Sequence, residues 1–285
     1  MNIAVDERHV KEAGSMLRGL AQACRDLGHT VSSWYADTDP MPDCEFAILW
    51  CSPHPKYQEA VERIRRQNIP VLFVEYGWLP KWNTFHVDAR GSHGLASWAE
   101  QPLDVVPGEP VSVPKGDLLV TLQGGFYSTS PEFSPWFRNI HEHMKHMVAY
   151  SQVPLRFRCR PLNGISKEMR AIVDSCPGAV FDKANTLREA LDGACAVATV
   201  HSTCGVEAME VGLPVLCYGR APYRVPGAVW CMDDSPLKTW CRTAQLKAGH
   251  CDLDVNSQAA MIARLKSKQW TLDDLPQRLA PLLTP

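Results

Sequence analysis

A chain of 285 residues has room for one large domain or two of ordinary size, and 45% apolar with 21% charged residues describes a globular protein with a substantial core. Its 29 basic and 31 acidic residues nearly cancel, leaving a net charge of -2. That balance excludes a general electrostatic drive toward nucleic acid, although a local basic groove would escape the average.

The first half alternates apolar runs with helical periods. NIAV (2–5) reads as a strand, and GSMLRGLAQACRDLGH (14–29) as an amphipathic helix with Met16, Leu17, Leu20, Ala23, Cys24 and Leu27 on one face. TVSSWY (30–35) and EFAILW (45–50) are strands, KYQEAVERIRRQN (56–68) is a helix, and PVLFVE (70–75) is a strand. Residues 102–116, PLDVVPGEPVSVPKG, carry four prolines and no period, and read as a linker. The alternation then resumes. Strands are predicted at DLLVTLQ (117–123), PLRFRCR (154–160), AVFD (179–182), CAVATV (195–200) and PVLCYG (214–219). Helices are predicted over 135–152, 166–176, 186–194 and 205–212, and the tail from about 235 to 280 is mostly helical in pattern.

This rhythm predicts an α/β protein of two Rossmann-like, doubly wound domains, 1–110 and 111–285, facing each other across a cleft. Ligands of such folds bind at the carboxyl ends of the strands and between domains. The eleven cysteines include no C-x-x-C pair, and Cys44, Cys195 and Cys217 lie in apolar runs. Reduced thiols are expected, not a disulfide framework or zinc site. The opening MNIAVDERHV lacks a signal-peptide core, and no window approaches the ~20 apolar residues of a membrane span. A cytoplasmic location is expected, with peripheral docking on a membrane left open.

The stretch most suggestive of chemistry is CAVATVHSTCGVEAMEVGLPVLCYG (195–219). A strand ends in His201-Ser202-Thr203-Cys204-Gly205, where a helix is predicted to begin, so hydroxyls and unpaired backbone N–H groups would converge on an anion. Glu207, in the first turn, would accept hydrogen bonds from ribose hydroxyls. The plainer reading is that Ser202 or Thr203 caps the helix and Glu207 completes the cap. The helix must end at Gly212, because Pro214 opens the next strand.

Residues 201–227, HSTCGVEAMEVGLPVLCYGRAPYRVPG, resemble the signature of capsule polysaccharide synthesis proteins of the Kdo (3-deoxy-D-manno-octulosonic acid) transferase type, which pair a hydroxyl-rich phosphate motif with a Gly-x-Glu-Ala helix and a Gly-x-Pro-Val strand. IPVLFVEYGWLPKWNTFHVDARGSHGLAS (69–97) is similar to that family's Glu-Asp-Gly-Phe segment and downstream Asp-x-x-Gly, and LLVTLQ to the strand opening its second domain. The resemblance implies a GT-B glycosyltransferase with an acceptor-side domain at 1–110 and a nucleotide-sugar-binding domain with a helical tail at 111–285. It implies metal-independent transfer from a nucleotide-activated donor, CMP-linked and Kdo-like, to a saccharide acceptor, with no separate cofactor. Glu75 would be the acid/base and Asp88 the nucleophile of a retaining, double-displacement route. Ser202, Thr203 and Arg160 would hold phosphate, Glu207 the ribose, and His201 would contact the phosphate or orient the Gly205 loop.

Two departures stand out. Glu-Asp-Gly reads Glu75-Tyr76-Gly77, and the expected His-Pro reads Arg160-Pro161-Leu162. Lesser candidates for donor or acceptor contact are Gly14 and Ser15 at the start of the first helix, His93, Gln123 and Gly124 after a strand, and Tyr218 and Tyr223, which would line a pocket or simply pack. His143 and His146 lie three apart on a helix. A solvated helix face is expected there in preference to a metal pair, since no carboxylate completes a site. Two other readings remain open: a transferase acting on modified bases in DNA, and a non-catalytic nucleotide-sugar-binding protein.

Overall fold

The computed structural model describes residues 1–6, 11–36, 39–50, 57–80, 84–123, 131–159 and 164–283, without the side chains of 11–13, 58 and 93. Its elements in chain order are β1 (Asn2–Asp6), α1 (Lys11–Asp26), β2 (Thr30–Trp34), β3 (Phe46–Trp50), α2 (Gln58–Gln67), β4 (Val71–Tyr76), β5 (Phe85–Asp88), β6 (Asp117–Leu122), α3 (Ile140–Tyr150), β7 (Leu155–Cys159) and α4 (Lys167–Asp174). There follow β8 (Ala179–Phe181), α5 (Leu187–Asp192), β9 (Ala194–Thr199), α6 (Cys204–Glu210), β10 (Val215–Cys217), β11 (Trp230–Cys231), α7 (Pro236–Lys247), α8 (Val255–Lys268), β12 (Gln269–Trp270) and α9 (Leu275–Leu279).

Two compact units result, Met1–Ser97 with Leu265–Pro285, and Trp98–Arg264. The boundary falls before the predicted linker, because that segment is strapped to the second unit. Arg264 donates to the carbonyls of Gln101 and Pro102, Asp254 accepts from the Gly108 N–H, and Val111 is buried. The last residues return to the first unit. There β12 pairs antiparallel with β5, and Leu272 and Leu275 of the tail lie against Gly19 of α1.

In the first unit the sheet order is β12-β5-β4-β3-β1-β2, parallel from β2 to β4. β5 and β12 break the pattern: β5 runs antiparallel to β4 and β12 antiparallel to β5. The second unit is parallel throughout, β11-β10-β9-β6-β7-β8. Strands covered on both faces need apolar residues at every position. β3 and β9 accordingly read FAILW and ACAVAT and are buried end to end. The apolar stripe of α1 packs as its spacing demands, with Met16, Leu17, Leu20, Ala23 and Cys24 all buried.

Local signals set the helix ends. Asn139, Ser166 and Ser235 cap α3, α4 and α7 by accepting a backbone N–H, and Thr186 with Glu189 forms a capping box on α5. α1 starts at Lys11, so Gly14 and Ser15 lie inside the helix and do not open it; Gly14 is buried and Ser15 exposed. In the second unit Arg156 meets Asp117 at 3.0 Å and Asp182 at 3.2 Å, and Arg158 also pairs with Asp182. This network ties β6, β7 and the end of β8 together around a carboxylate whose side chain is 1% exposed. The described cysteines are free thiols, and burial pushes Cys24 and Cys195 up to about 11 and Cys217 to about 12. Among the described residues no helix is long and apolar enough to cross a membrane.

Candidate functional site

The strand order of the second unit reverses at β6. From β6 the chain steps through β7 to β8 on one side, then places β9, β10 and β11 on the other. The connections leaving β6 and β9 therefore diverge and open a crevice at their carboxyl ends, where doubly wound sheets bind ligands. Gln123 follows β6, and Val200 to Thr203 follow β9. The two loops are joined. His201 donates its backbone N–H to the Gln123 Oε1 at 2.9 Å, and the Gln123 Nε2 lies 3.4 Å from His201 Nδ1. The His201 ring is buried, with Phe133 at a centroid distance of 5.1 Å.

Below the loop the packing is tight. The Ser202 N–H donates to Thr199 Oγ1 at 3.1 Å, and Ser202 Oγ accepts from the Cys204 N–H at 3.2 Å. Tyr223, wholly buried, donates its hydroxyl to the Ser202 carbonyl. The same phenol explains Gly205, since a Cβ there would sit 2.6 Å from its oxygen. At the other end of α6, Gly212 takes φ +73°, the left-handed conformation that ends a helix, and β10 follows.

The capping explanation does not account for Thr203. Its backbone is helical and its side chain makes no capping bond, so this hydroxyl is not committed to the helix end. Ser202, Thr203, Cys204 and Glu207 are half-buried, with one side toward solvent. Two hydroxyls, an imidazole and a carboxylate thus line one short, braced segment, a set suited to a polar, anionic ligand bearing hydroxyl groups.

In the first unit, Glu75 is the last residue but one of β4 and is 3% exposed, enclosed near the strand end instead of emerging openly. One of its oxygens accepts the Tyr76 N–H at 2.9 Å. The antiparallel register sets Glu75 opposite His86, His86 opposite Gln269, and Phe73 opposite Asp88. Residues opposed in a ladder, and those two apart along a strand, share a face. Glu75, His86, Asp88 and Gln269 therefore lie on one face of the sheet. Asp88 is engaged in building its loop. Its Oδ1 accepts from the N–H groups of Arg90, Gly91 and Ser97, and its Oδ2 accepts the Ser97 hydroxyl at 2.6 Å. Those bonds make it an anchor for residues 88–97.

His86 was not legible as a site residue, because nothing in FHVD distinguishes it until β5 pairs with β4. Asp6 was missed for the same reason. Buried at the end of β1, it accepts backbone N–H groups from Ala36 and Trp50, at the ends of the neighbouring strands.

The remaining candidates divide clearly. Tyr218 and Tyr223 are completely buried and pack. Tyr76, in the place of the family's second acid, is half-buried with the Trp50 ring at 4.8 Å. His93 begins a 3-10 turn, His93–Leu95. Gly124, Arg160 and Leu162 lie outside the described residues. The expectation of a solvated face for His143 and His146 is overturned. α3 turns His143, Met144, His146 and Met147 inward as one stripe, and the two histidines meet Phe137 and Tyr218. His146 Nε2 and the Tyr218 hydroxyl both reach Thr239 Oγ1, at 2.8 and 2.9 Å. Among the described residues, no group of three or more His, Cys, Asp or Glu side chains could hold a metal ion.

The model of the capsule polysaccharide biosynthesis protein family matches residues 178–263, which contain the whole 201–207 segment. The resemblance read from that segment is thereby found independently. Among solved structures, the chain is similar to the β-Kdo 2,4 transferase of KpsC from Thermosulfurimonas dismutans, with 13% identity, 98% of each chain covered and a TM-score of 0.54. It is also similar to the β-Kdo 2,7 transferase of the same KpsC, with 13% identity, 100% of this chain and 99% of that one covered, and a TM-score of 0.52. At that identity the likeness is one of fold, and the fold is the GT-B type, with two Rossmann-like units. No curated protein matches the chain by sequence.

Proposed function

We propose that this chain is a glycosyltransferase of the capsule polysaccharide type, taking a CMP-activated, Kdo-like sugar and passing it to a saccharide acceptor. The observation that carries the reading is the braced 201–207 segment. It lies at the reversal point of an all-parallel sheet, inside the stretch matched by the capsule family, in a chain with the fold of two β-Kdo transferases. Ser202 and Thr203 would hold the donor phosphate, Glu207 the ribose, and His201 would orient the loop against Gln123. The loop's hydrogen-bond donors would take the phosphate charge, so the reading calls for no metal or separate cofactor. Glu75 would be the acid/base. Asp88 would position the 88–97 loop, since its oxygens are occupied.

The test is calorimetric titration of CMP, UDP, GDP, ADP and TDP into the full chain. Selective CMP binding, lost in Ser202→Ala/Thr203→Ala, is the expected result. Selective binding of UDP or GDP would reject the donor, and unchanged affinity in the double variant would reject the site. A second reading has one observation in its favour. The engagement of Asp88 by four donors leaves the family's nucleophile position without a ready nucleophile, as a non-catalytic donor-binding protein would show. CMP-Kdo binding with no transfer and no hydrolysis would select that reading.

A further inference from the structure

The outer edge of the second unit's sheet carries a cavity that shares no residue with the 201–207 segment. β11 is the last strand of that sheet, so no described strand pairs with its outer side, and α7 and residues 252–253 stand beside it. The space between them measures about 220 Å³. Val229, Trp230, Met232 and Leu253, all buried, give it an apolar lining. Its charged lining is two cations, Lys238 and Arg242, against one carboxylate, Asp252. Pockets for drug-sized ligands run upward from roughly 300 Å³, so this one suits a single ring or a short chain.

Arg242 is held there as a fixed fork. Its guanidinium carbon lies 5.1 Å from the centre of the Trp230 ring. Its Nη1 donates to Gln245 Oε1 at 2.8 Å and to Asp252 Oδ2 at 2.6 Å. Asp252 is fixed in turn, because its Oδ1 accepts the Trp230 indole N–H. These contacts use one end of the guanidinium. Nε and Nη2 form the edge that can grip a carboxylate or phosphate through two parallel bonds, and neither has a partner among the described residues. Lys238 donates to Asp233 Oδ2 at 3.0 Å, while an ammonium has three N–H bonds to give. Each cation is thus oriented by a carboxylate of its own and keeps further donors for a ligand. Groups fixed beforehand lose little freedom on binding.

We propose that this cavity is a binding site for a small molecule that carries an oxyanion, carboxylate or phosphate, on an apolar body. The Nε–Nη2 edge of Arg242 grips the oxyanion, Lys238 supplies a second cationic donor, and the body lies against Val229, Met232 and Leu253. Trp230 orients the fork and does not stack on the ligand, since Arg242 covers its ring and Asp252 takes its N–H. A neutral analogue leaves the fork without its acceptor, and a bare anion leaves the apolar lining in water. The site therefore discriminates against both. It stands apart from the transferase reading, because none of its residues is assigned to donor or acceptor.

The test titrates the full chain, labelled with nitrogen-15 arginine and tryptophan, with benzoate, phenyl phosphate, benzamide and inorganic phosphate. The Arg242 Nε–H signal is identified by its loss in Arg242→Gln, and the Trp230 indole signal by its loss in Trp230→Phe. Benzoate or phenyl phosphate is expected to saturate and to move both signals together, and the tighter of the two tells carboxylate from phosphate. By calorimetry, Arg242→Gln should weaken that binding at least about tenfold. Lys238 is the more exposed of the two cations, so Lys238→Gln, which should weaken binding as well, carries the test if Arg242→Gln does not fold. Binding should persist in Ser202→Ala/Thr203→Ala, which separates this site from the candidate donor loop. Failure of both aromatic anions to move the Arg242 signal overturns the proposal. So does benzamide binding as tightly as benzoate, or inorganic phosphate as tightly as phenyl phosphate. Affinity unchanged in both cation variants, or lost in the double hydroxyl variant, overturns it too.

Discussion

His143 offers a quantitative test of the inward turn of α3. Its ring is 2% exposed between Phe137 and Tyr218, and its Nε2 has no hydrogen-bond partner. Burial, reinforced by the neighbouring His146, lowers its pKa from 6.5 to about 3. The folded state thus holds the neutral ring while the unfolded chain takes up a proton as the pH falls below 6.5. The stability from this residue is complete above that value and is lost progressively down to about pH 3. Each pH unit corresponds to about 1.4 kcal/mol, so wild type should lose about 2 kcal/mol from this group by pH 5. That is a large share of a typical folding free energy of about 5–15 kcal/mol. His143→Phe keeps a ring in the cluster and removes the titrating nitrogens. Urea unfolding followed by tryptophan fluorescence at pH 7, 6 and 5 should show the wild-type curve falling away from the variant by about that amount. Parallel losses in the two proteins would refute the reasoning.

Three further outcomes follow from specific contacts. Gly205→Ala places a methyl group 2.6 Å from the Tyr223 oxygen; overpacking should cost about 1–3 kcal/mol and weaken CMP binding, and a wild-type melting temperature would contradict the packing described. Asp182→Asn leaves Arg156 and Arg158 without their shared partner; urea unfolding should report a loss of about 3–5 kcal/mol, whereas a near-neutral effect would mean the network is solvated. Gln123→Ala removes the acceptor of the His201 N–H, so CMP affinity by calorimetry should fall by up to about tenfold with little change in melting temperature. Unaltered affinity would show that the brace does not position the donor loop.

Much of this molecule follows from local pattern. Apolar runs separated by helical periods located β1, β3, β4, β6 and β9, because a strand covered on both faces has few polar positions to spare, while β2 and β7, which read TVSSW and LRFRC and are only partly buried, were placed by the alternation of strand and helix. Proline and glycine set the boundary of α6 and β10, and the small polar residues after β9 marked the candidate ligand loop. The short strands β5, β11 and β12 escaped, since two to four residues carry no period, whereas β8 and β10, three residues each, were marked by apolar runs set between helical segments. The burial of His143 and His146 escaped as well. A polar residue on a helix reads as solvated until a second element, here the end of β10 with Tyr218, covers it.

What the chain determined by itself is the kind of each element and the residues at its ends, since period, capping and turn chemistry act within a few residues. Which of those ends become neighbours was decided by the tertiary structure alone. Gln123 meets His201, 78 residues further along the chain, because β9 inserts beside β6 in parallel register. Glu75 faces His86 because the chain reverses between β4 and β5, and Gln269 returns 190 residues later to hold Leu79. Strand order and register depend on burying all faces at once, and no local period encodes that condition.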